Sequence, residues 1–252
     1  DYQGYGEISD VCIKRKIRNR LQDMGERIFV QSDDRCDDGF DSLRSRADGN
    51  AALKAVSNGK TTDRDKYAET ACAEWIDVRS FGQVFAFKGG VSVGVRGPVS
   101  IQQAVSVSPV DVVSMQITKS VNGEPSKDSA KSSDTMGLKH RVTFGVYVIN
   151  GSINCQLAEK TGFTEEDAQK IKEALRTLFE NDCSSARPEG SMEVQRMFWW
   201  VHEGKTPKYS SAKTHRSVQV KLKDGVDIPK SFADYEVIVT PLENVVMEEP
   251  AV

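Results

Sequence analysis

Ser9-Asp-Val-Cys-Ile-Lys-Arg-Lys-Ile-Arg-Asn-Arg-Leu-Gln-Asp-Met24 is the stretch from which the rest of the chain can be read. Ser9-Asp10 is a capping signal, because a short side-chain oxygen can accept from the orphan amides of a first helical turn. Ile13, Ile17, Leu21 and Met24 fall within roughly 80° of one another on a helical wheel, which predicts a helix over 11–24 with one buried stripe. Lys14, Arg15, Lys16, Arg18 and Arg20 are interleaved with them, and no carboxylate stands between Val11 and Gln22. Lys14 and Arg18 lie together beside the stripe, Arg15 farther round, and Lys16 and Arg20 along the other edge. Two readings fit this face: a grip on phosphate, or ordinary solvated surface.

Outward from the helix, the global balance is acidic. The 252 residues carry 34 Lys+Arg against 37 Asp+Glu, a formal charge of −3, so any polyanion must be met by a local field. Hydrophobic residues make up 38% and charged residues 28%, which excludes global disorder. No apolar run is long enough to span a bilayer and no secretion signal is visible, so no membrane partner is expected. Cys12, Cys36, Cys72, Cys155 and Cys183 are odd in number and scattered, a pattern of reduced thiols in a cytoplasm.

Residues 31–74 are acidic and small, with weak helical pieces around 41–56 and 63–75, and read as an inserted subdomain. Trp75 to Lys88 has apolar strand character, Gly94 to Ser106 reads as strand and turn, and Val110 to Val121 as extended. Asn122 to Asp134 is a polar loop. His140 to Val148 alternates, predicting a strand with Val142, Phe144, Val146 and Val148 on one face. Thr164-Glu-Glu-Asp167 is a capping box opening a helix with Ala168, Ile171, Leu175, Leu178 and Phe179 as its stripe. Met192 to His202 and Ser217 to Leu222 read as strands joined by a basic loop with Lys205, Lys208, Lys213, His215 and Arg216. The segment after Pro241 is acidic. Strands mixed with amphipathic helices and long insertions predict an α+β fold.

Gly59-Lys-Thr-Thr62 lacks the first glycine and the preceding strand of a phosphate loop. The glycines of 88–94 lack the following helix of a dinucleotide site. His140, His202 and His215 fall in no metal spacing and no CxxC occurs, so neither cofactor nor metal is expected. His140, bracketed by Lys139 and Arg141, could act as general base in RNA cleavage or as a contact residue. Phe198, Trp199 and Trp200 admit base stacking or core packing. A strand would turn Phe198 and Trp200 to one side and Trp199 to the other, at least one side being core.

Ile8-Ser-Asp-Val-Cys-Ile-Lys-Arg-Lys-Ile-Arg18, Asp77-Val-Arg-Ser-Phe-Gly82 and Arg96-Gly-Pro-Val-Ser-Ile-Gln102 occur in that order. Met115-Gln-Ile-Thr-Lys-Ser120, Ser133-Asp-Thr-Met-Gly-Leu-Lys-His-Arg-Val142, Gly151-Ser-Ile-Asn154 and Ser185-Ala-Arg-Pro-Glu-Gly-Ser-Met192 follow. Together, from about residue 7 to 237, they resemble the backbone subunit of the type I-C CRISPR surveillance complex, Cascade, of the RAMP superfamily.

The resemblance implies a single hand-shaped domain. Its palm would be RRM-like (ferredoxin-like), with fingers at about 31–74 and a thumb at about 106–137. It implies a non-catalytic scaffold that binds CRISPR guide RNA, polymerises with further copies of itself and kinks the guide at intervals. The guide is thereby displayed for a target DNA strand, alongside other Cascade subunits. Ser9, Lys14 and Arg18 would take the hydroxyl and cation positions facing RNA, with Arg15 beside them. Met115 and Met136 would be apolar wedges against kinked bases, Lys139 and Arg141 would neutralise phosphate next to His140, and Arg187 would meet the guide near the last palm strand. The alternative within the superfamily is an RNA endonuclease with His140 as base. The family's first palm strand and its acidic loop have no counterpart ahead of Asp1, so a further preceding segment is expected.

Overall fold

The computed structural model describes residues 3–57, 63–87, 92–121 and 136–252. The rejected phosphate-loop sequence, the first glycines of the 88–94 run and the polar loop of 122–134 lie outside them. In chain order the first elements are β1 (Glu7–Ile8), α1 (Asp10–Asp23), α2 (Leu43–Gly49), α3 (Ala51–Val56), α4 (Arg64–Glu74), α5 (Ile76–Phe81), β2 (Gly82–Ala86), β3 (Ser92–Arg96), β4 (Val99–Ile101) and β5 (Ala104–Ser106). There follow β6 (Val112–Thr118), β7 (Met136–Val142), β8 (Tyr147–Val148), β9 (Gly151–Ile153), α6 (Cys155–Thr161), α7 (Glu165–Arg176), β10 (Trp199–Val201), α8 (Ser211–His215), β11 (Val218–Leu222), β12 (Tyr235–Val239) and β13 (Val246–Glu248). The class is α+β, as expected. Among the described residues the strands form one three-stranded sheet, in the order β1-β5-β8, and the pairs β2-β3, β4-β9, β6-β7, β10-β13 and β11-β12.

The chain divides into two compact units, 1–7 with 104–148 and 219–238, and 8–103 with 149–218 and 239–252. In the first, a buried polar chain replaces lost water: Gly6 N donates to Ser106 Oγ (3.0 Å), Ser106 Oγ donates to Ser108 O (2.7 Å), and Ser108 Oγ shares a hydrogen bond with Tyr235 OH (2.8 Å). Phe144 lies 6.4 Å from the Tyr235 ring. The expected strand over 140–148 is therefore broken. β7 ends at Val142, Thr143 N turns to Asp111 O at 3.0 Å, and β8 resumes only at Tyr147, leaving Val148 exposed.

The second unit is built on apolar clusters. Ile13, Ile17 and Leu21 are buried on α1, which packs against α7 with its buried Ile171 and Ala174. Helix α1 stops where Gly25 turns left-handed at φ +86°, letting Glu26 N reach Leu21 O at 3.0 Å. Phe29, Leu53, Tyr67, Ala71, Trp75, Val78, Phe85 and Val93 form one cluster, with Phe29 4.8 Å from Trp75 and 5.0 Å from Phe85. The three helices of 31–74 thus share their core with residues before and after them.

Three further expectations are corrected. The 75–88 segment opens as helix α5, because Asp77 accepts from two backbone amides and Gly82, at φ +81°, ends the helix before β2 begins. Of 192–202 only β10 is strand, since its partner β13 is three residues long. The basic 205–216 loop contains helix α8, capped by Ser210. All five cysteines are free, and burial pushes the Cys72 thiol up to about 11.

Candidate nucleic-acid interface

The expected RNA contacts fall on three elements: helix α1 and the loop holding Arg187 in the second unit, and the β6-β7 ribbon in the first. Ser9 caps α1 with φ −65° and ψ 150°, its Oγ accepting from Cys12 N at 3.2 Å. The remaining N-terminal amides and the helix dipole make this end attractive to anions. Lys14 Nζ sits one turn on, 2.9 Å from Asp10 Oδ2, and its hydrogen bond and charge hold Asp10 below the usual carboxylate range. That pair is partly exposed, so screening leaves it easy to exchange for a phosphate.

Arg18 is differently placed. Its side chain is 13% exposed, Nε donates to Asp77 Oδ2 at 2.9 Å, and the guanidinium lies 5.0 Å from the Phe81 ring centroid. Asp77 is fully buried and also accepts from Phe29 N (2.8 Å) and Val30 N (3.0 Å). Arg15 Nη1 donates to Val30 O at 2.6 Å. Burial and the adjacent Arg18 charge press its guanidinium below its ordinary value, while Asp77 and Asp34 pull the other way. Arg15 and Arg18 thus tie α1 to the chain at 29–30.

The two cations on the other edge of the stripe are also engaged. Lys16 is buried, ion-paired with Asp182 and 5.5 Å from the Phe179 centroid. Arg20 donates to Thr177 Oγ1 and Glu180 Oε2, each at 2.7 Å. The same Asp182 lies 3.5 Å from Arg187 Nε. The structure therefore brings Arg187 to the Lys16 edge of α1 and not to the Lys14–Arg18 edge. The absence of acids within 11–22 had suggested an uncompensated face, but the acids arrive from 77, 180 and 182. Asp77 and Asp182 were missed as partners. The one available signal was a carboxylate inside the apolar run Trp75-Ile-Asp-Val78, which is buried only when satisfied.

The ribbon is exposed on both faces. Its register pairs Met115 with Lys139, Val113 with Arg141, Ser114 with His140 and Thr118 with Met136. Opposite residues share a face and faces alternate, so Met115 stands with Lys139 and Arg141 while Met136 stands with His140. Met115 is 45% and Met136 58% exposed, and Gln116 Nε2 donates to Met136 Sδ. His140 Nδ1 is 2.8 Å from Ser114 Oγ, and neither strand of the ribbon carries a carboxylate to orient it as a base. The aromatic run behaves as the alternation requires: Phe198 stacks on Trp200 and Lys172 covers Trp199. These rings are all half-buried, so neither side of the run forms the expected core face.

Among the described residues no group of three or more His, Cys, Asp or Glu side chains could hold a metal ion, and no helix is long and apolar enough to cross a membrane.

Comparison with protein families matches residues 1–240 to the family described as CRISPR-associated protein Cas7. Among solved structures, 55 chains match. One, from a "CRISPR RNA-guided surveillance complex, pre-nicking", has a TM-score of 0.50 and 14% identity over 89% of this chain and 75% of that one, a likeness of fold. Comparison with curated proteins finds no match.

Proposed function

Because this chain belongs to the CRISPR-associated protein Cas7 family, we propose that it is a non-catalytic backbone subunit that binds CRISPR guide RNA in a type I-C surveillance complex. Copies polymerise along the guide, kink it at intervals and display it to a target DNA strand beside other subunits of the complex. In this reading the fold is an RRM-like palm with fingers at about 31–74 and a thumb at about 106–137 that includes β6.

The observation that carries the reading is the open N-terminal end of α1, where exposed Ser9 and exchangeable Lys14 flank a capped first turn. A contact of this type recognises sugar-phosphate and not base edges, which suits a scaffold that must accept any guide sequence. On the ribbon, Met115, Lys139 and Arg141 supply a mixed apolar and basic surface on one face, Met136 and His140 supply a contact on the other, and Arg187 adds a contact beside α1.

The test is a filter-binding salt titration with guide RNA. Lys14→Ala removes one phosphate contact and flattens the slope of log K against log salt by about 0.7. A slope identical to the wild type would overturn the α1 assignment. Sedimentation with and without guide RNA checks polymerisation, which is expected only with RNA present.

A further inference from the structure

β13 lies along β10 with three residue pairs, Trp199 with Glu248, Trp200 with Met247 and Val201 with Val246. Two consecutive glutamates at its end each take up a cation. Glu248 pairs with Lys172 of α7, whose ammonium is also 5.6 Å from the Trp199 ring. Glu249 accepts from Arg196 through Nε (2.5 Å) and Nη2 (2.9 Å), and that guanidinium lies 4.8 Å from the Phe198 ring centroid. Phe198 stacks on Trp200 with centroids 6.2 Å apart and planes inclined by 29°. A third cation, Arg176, donates from Nη1 to Ala251 O at 3.3 Å. Residues 248–251 therefore occupy three cations, two of which lie against aromatic rings.

Cations interleaved with half-buried rings are what single-stranded nucleic acids bind: the cations take phosphates and the rings take bases. The present occupant is lightly held. Its ladder is three residues long, and both glutamates, Val246 and Met247 all remain exposed. The family match also stops at residue 240, so the basic and aromatic residues lie inside it and the segment covering them lies beyond it.

We propose that residues 246–251 are an acidic strap, and that single-stranded nucleic acid displaces it from Lys172, Arg196, Phe198 and Trp200. The carboxylates of Glu248 and Glu249 stand where two phosphates of the strand would go. This rests on the nucleic-acid-binding reading above but concerns a different strand from the one held by α1.

The full chain carrying Glu248→Gln and Glu249→Gln keeps the shape of the strap and removes its charge. The probe is a fluorescein-labelled oligothymidylate of about 20 nucleotides, several times the length one stacking platform covers. Binding is expected to tighten several-fold, and the slope of log K against log salt to steepen by about 1.4, about 0.7 for each phosphate gained. Adding Lys172→Ala and Arg196→Ala should abolish the gain. In the unmodified protein, the oligonucleotide should speed amide exchange at Met247 and Glu248, a readout independent of any variant's folding. Unchanged affinity with unchanged exchange would overturn the strap, as would a gain that survives Lys172→Ala and Arg196→Ala. So would self-association of the variant without tighter oligonucleotide binding, which would assign the surface to a second copy. Normal guide loading alongside a null thymidylate result removes only the strap, and failure of both removes the functional reading with it.

Discussion

At the residue scale, neighbouring cations on one helix have partners of very different burial. Lys14 faces a partly exposed aspartate, whereas Arg18 joins a carboxylate that has no contact with water and holds two backbone amides besides. Removing one partner of such a buried pair strands the other charge, which costs about 3–5 kcal/mol. Arg18→Ala should therefore lower the urea midpoint by an amount matching that cost, while Lys14→Ala leaves it unchanged. Equal midpoints for the two variants would show that Arg18 is not part of the core. Arg18→Lys keeps the charge but loses the planar stack over Phe81, so an intermediate loss is expected. For the same reason RNA measurements on Arg18→Ala would mix folding with binding, and Lys14 is the cleaner probe.

At the element scale, the β6-β7 ribbon separates two candidate wedges that had seemed equivalent. Met115 shares its face with both Lys139 and Arg141, while Met136 shares its face with His140. A strand of RNA lying on one face meets an apolar wedge and two cations on the first, and a single histidine on the second. Met115→Ala is expected to weaken guide binding by up to about a few kcal/mol, the cost of leaving an unstacked base step without its apolar wedge, with Met136→Ala near neutral. Competition binding of the two variants checks this, and the opposite ranking would move the RNA to the His140 face. Helix α7 carries another element-scale consequence. Asp167 closes the capping box with Thr164 and also receives Arg79 Nε at 2.9 Å and Nη2 at 2.7 Å. Burial alone would raise its carboxyl, but hydrogen bonds from Arg79 and Thr164 with the Arg79 charge outweigh it and hold the group below the usual carboxylate range. A depressed folded value means that this contribution to stability is complete above the unfolded value of about 4. It is lost as pH falls through the folded one. Urea midpoints measured between pH 6 and pH 3 should thus fall less steeply for Asp167→Asn than for the wild type, from a lower starting point. A parallel pair of curves would remove Asp167 from the acid response.

At the scale of the whole molecule, local patterns and long-range pairing contributed separately. The cap and stripe of α1 and the capping box of α7 were legible, because each is written within a few residues and repeats with the period of the helix. The weak helical pieces expected around 41–56 and 63–75 are α2, α3 and α4. The strand expected over 75–88 is present only as β2, because the stretch before it is helix α5, ended by the left-handed Gly82. The strand over 140–148 is broken between β7 and β8, where Phe144 meets Tyr235, a residue 91 positions later. In the site, the sequence by itself determined which residues are cationic, which are apolar and which share a helix edge. Only the tertiary structure decided which charges are spent. Lys16 meets Asp182 across 166 residues and Arg18 meets Asp77 across 59, distances over which no local period carries information. Lys14, paired within its own turn, keeps a charge that solvent and phosphate can both reach.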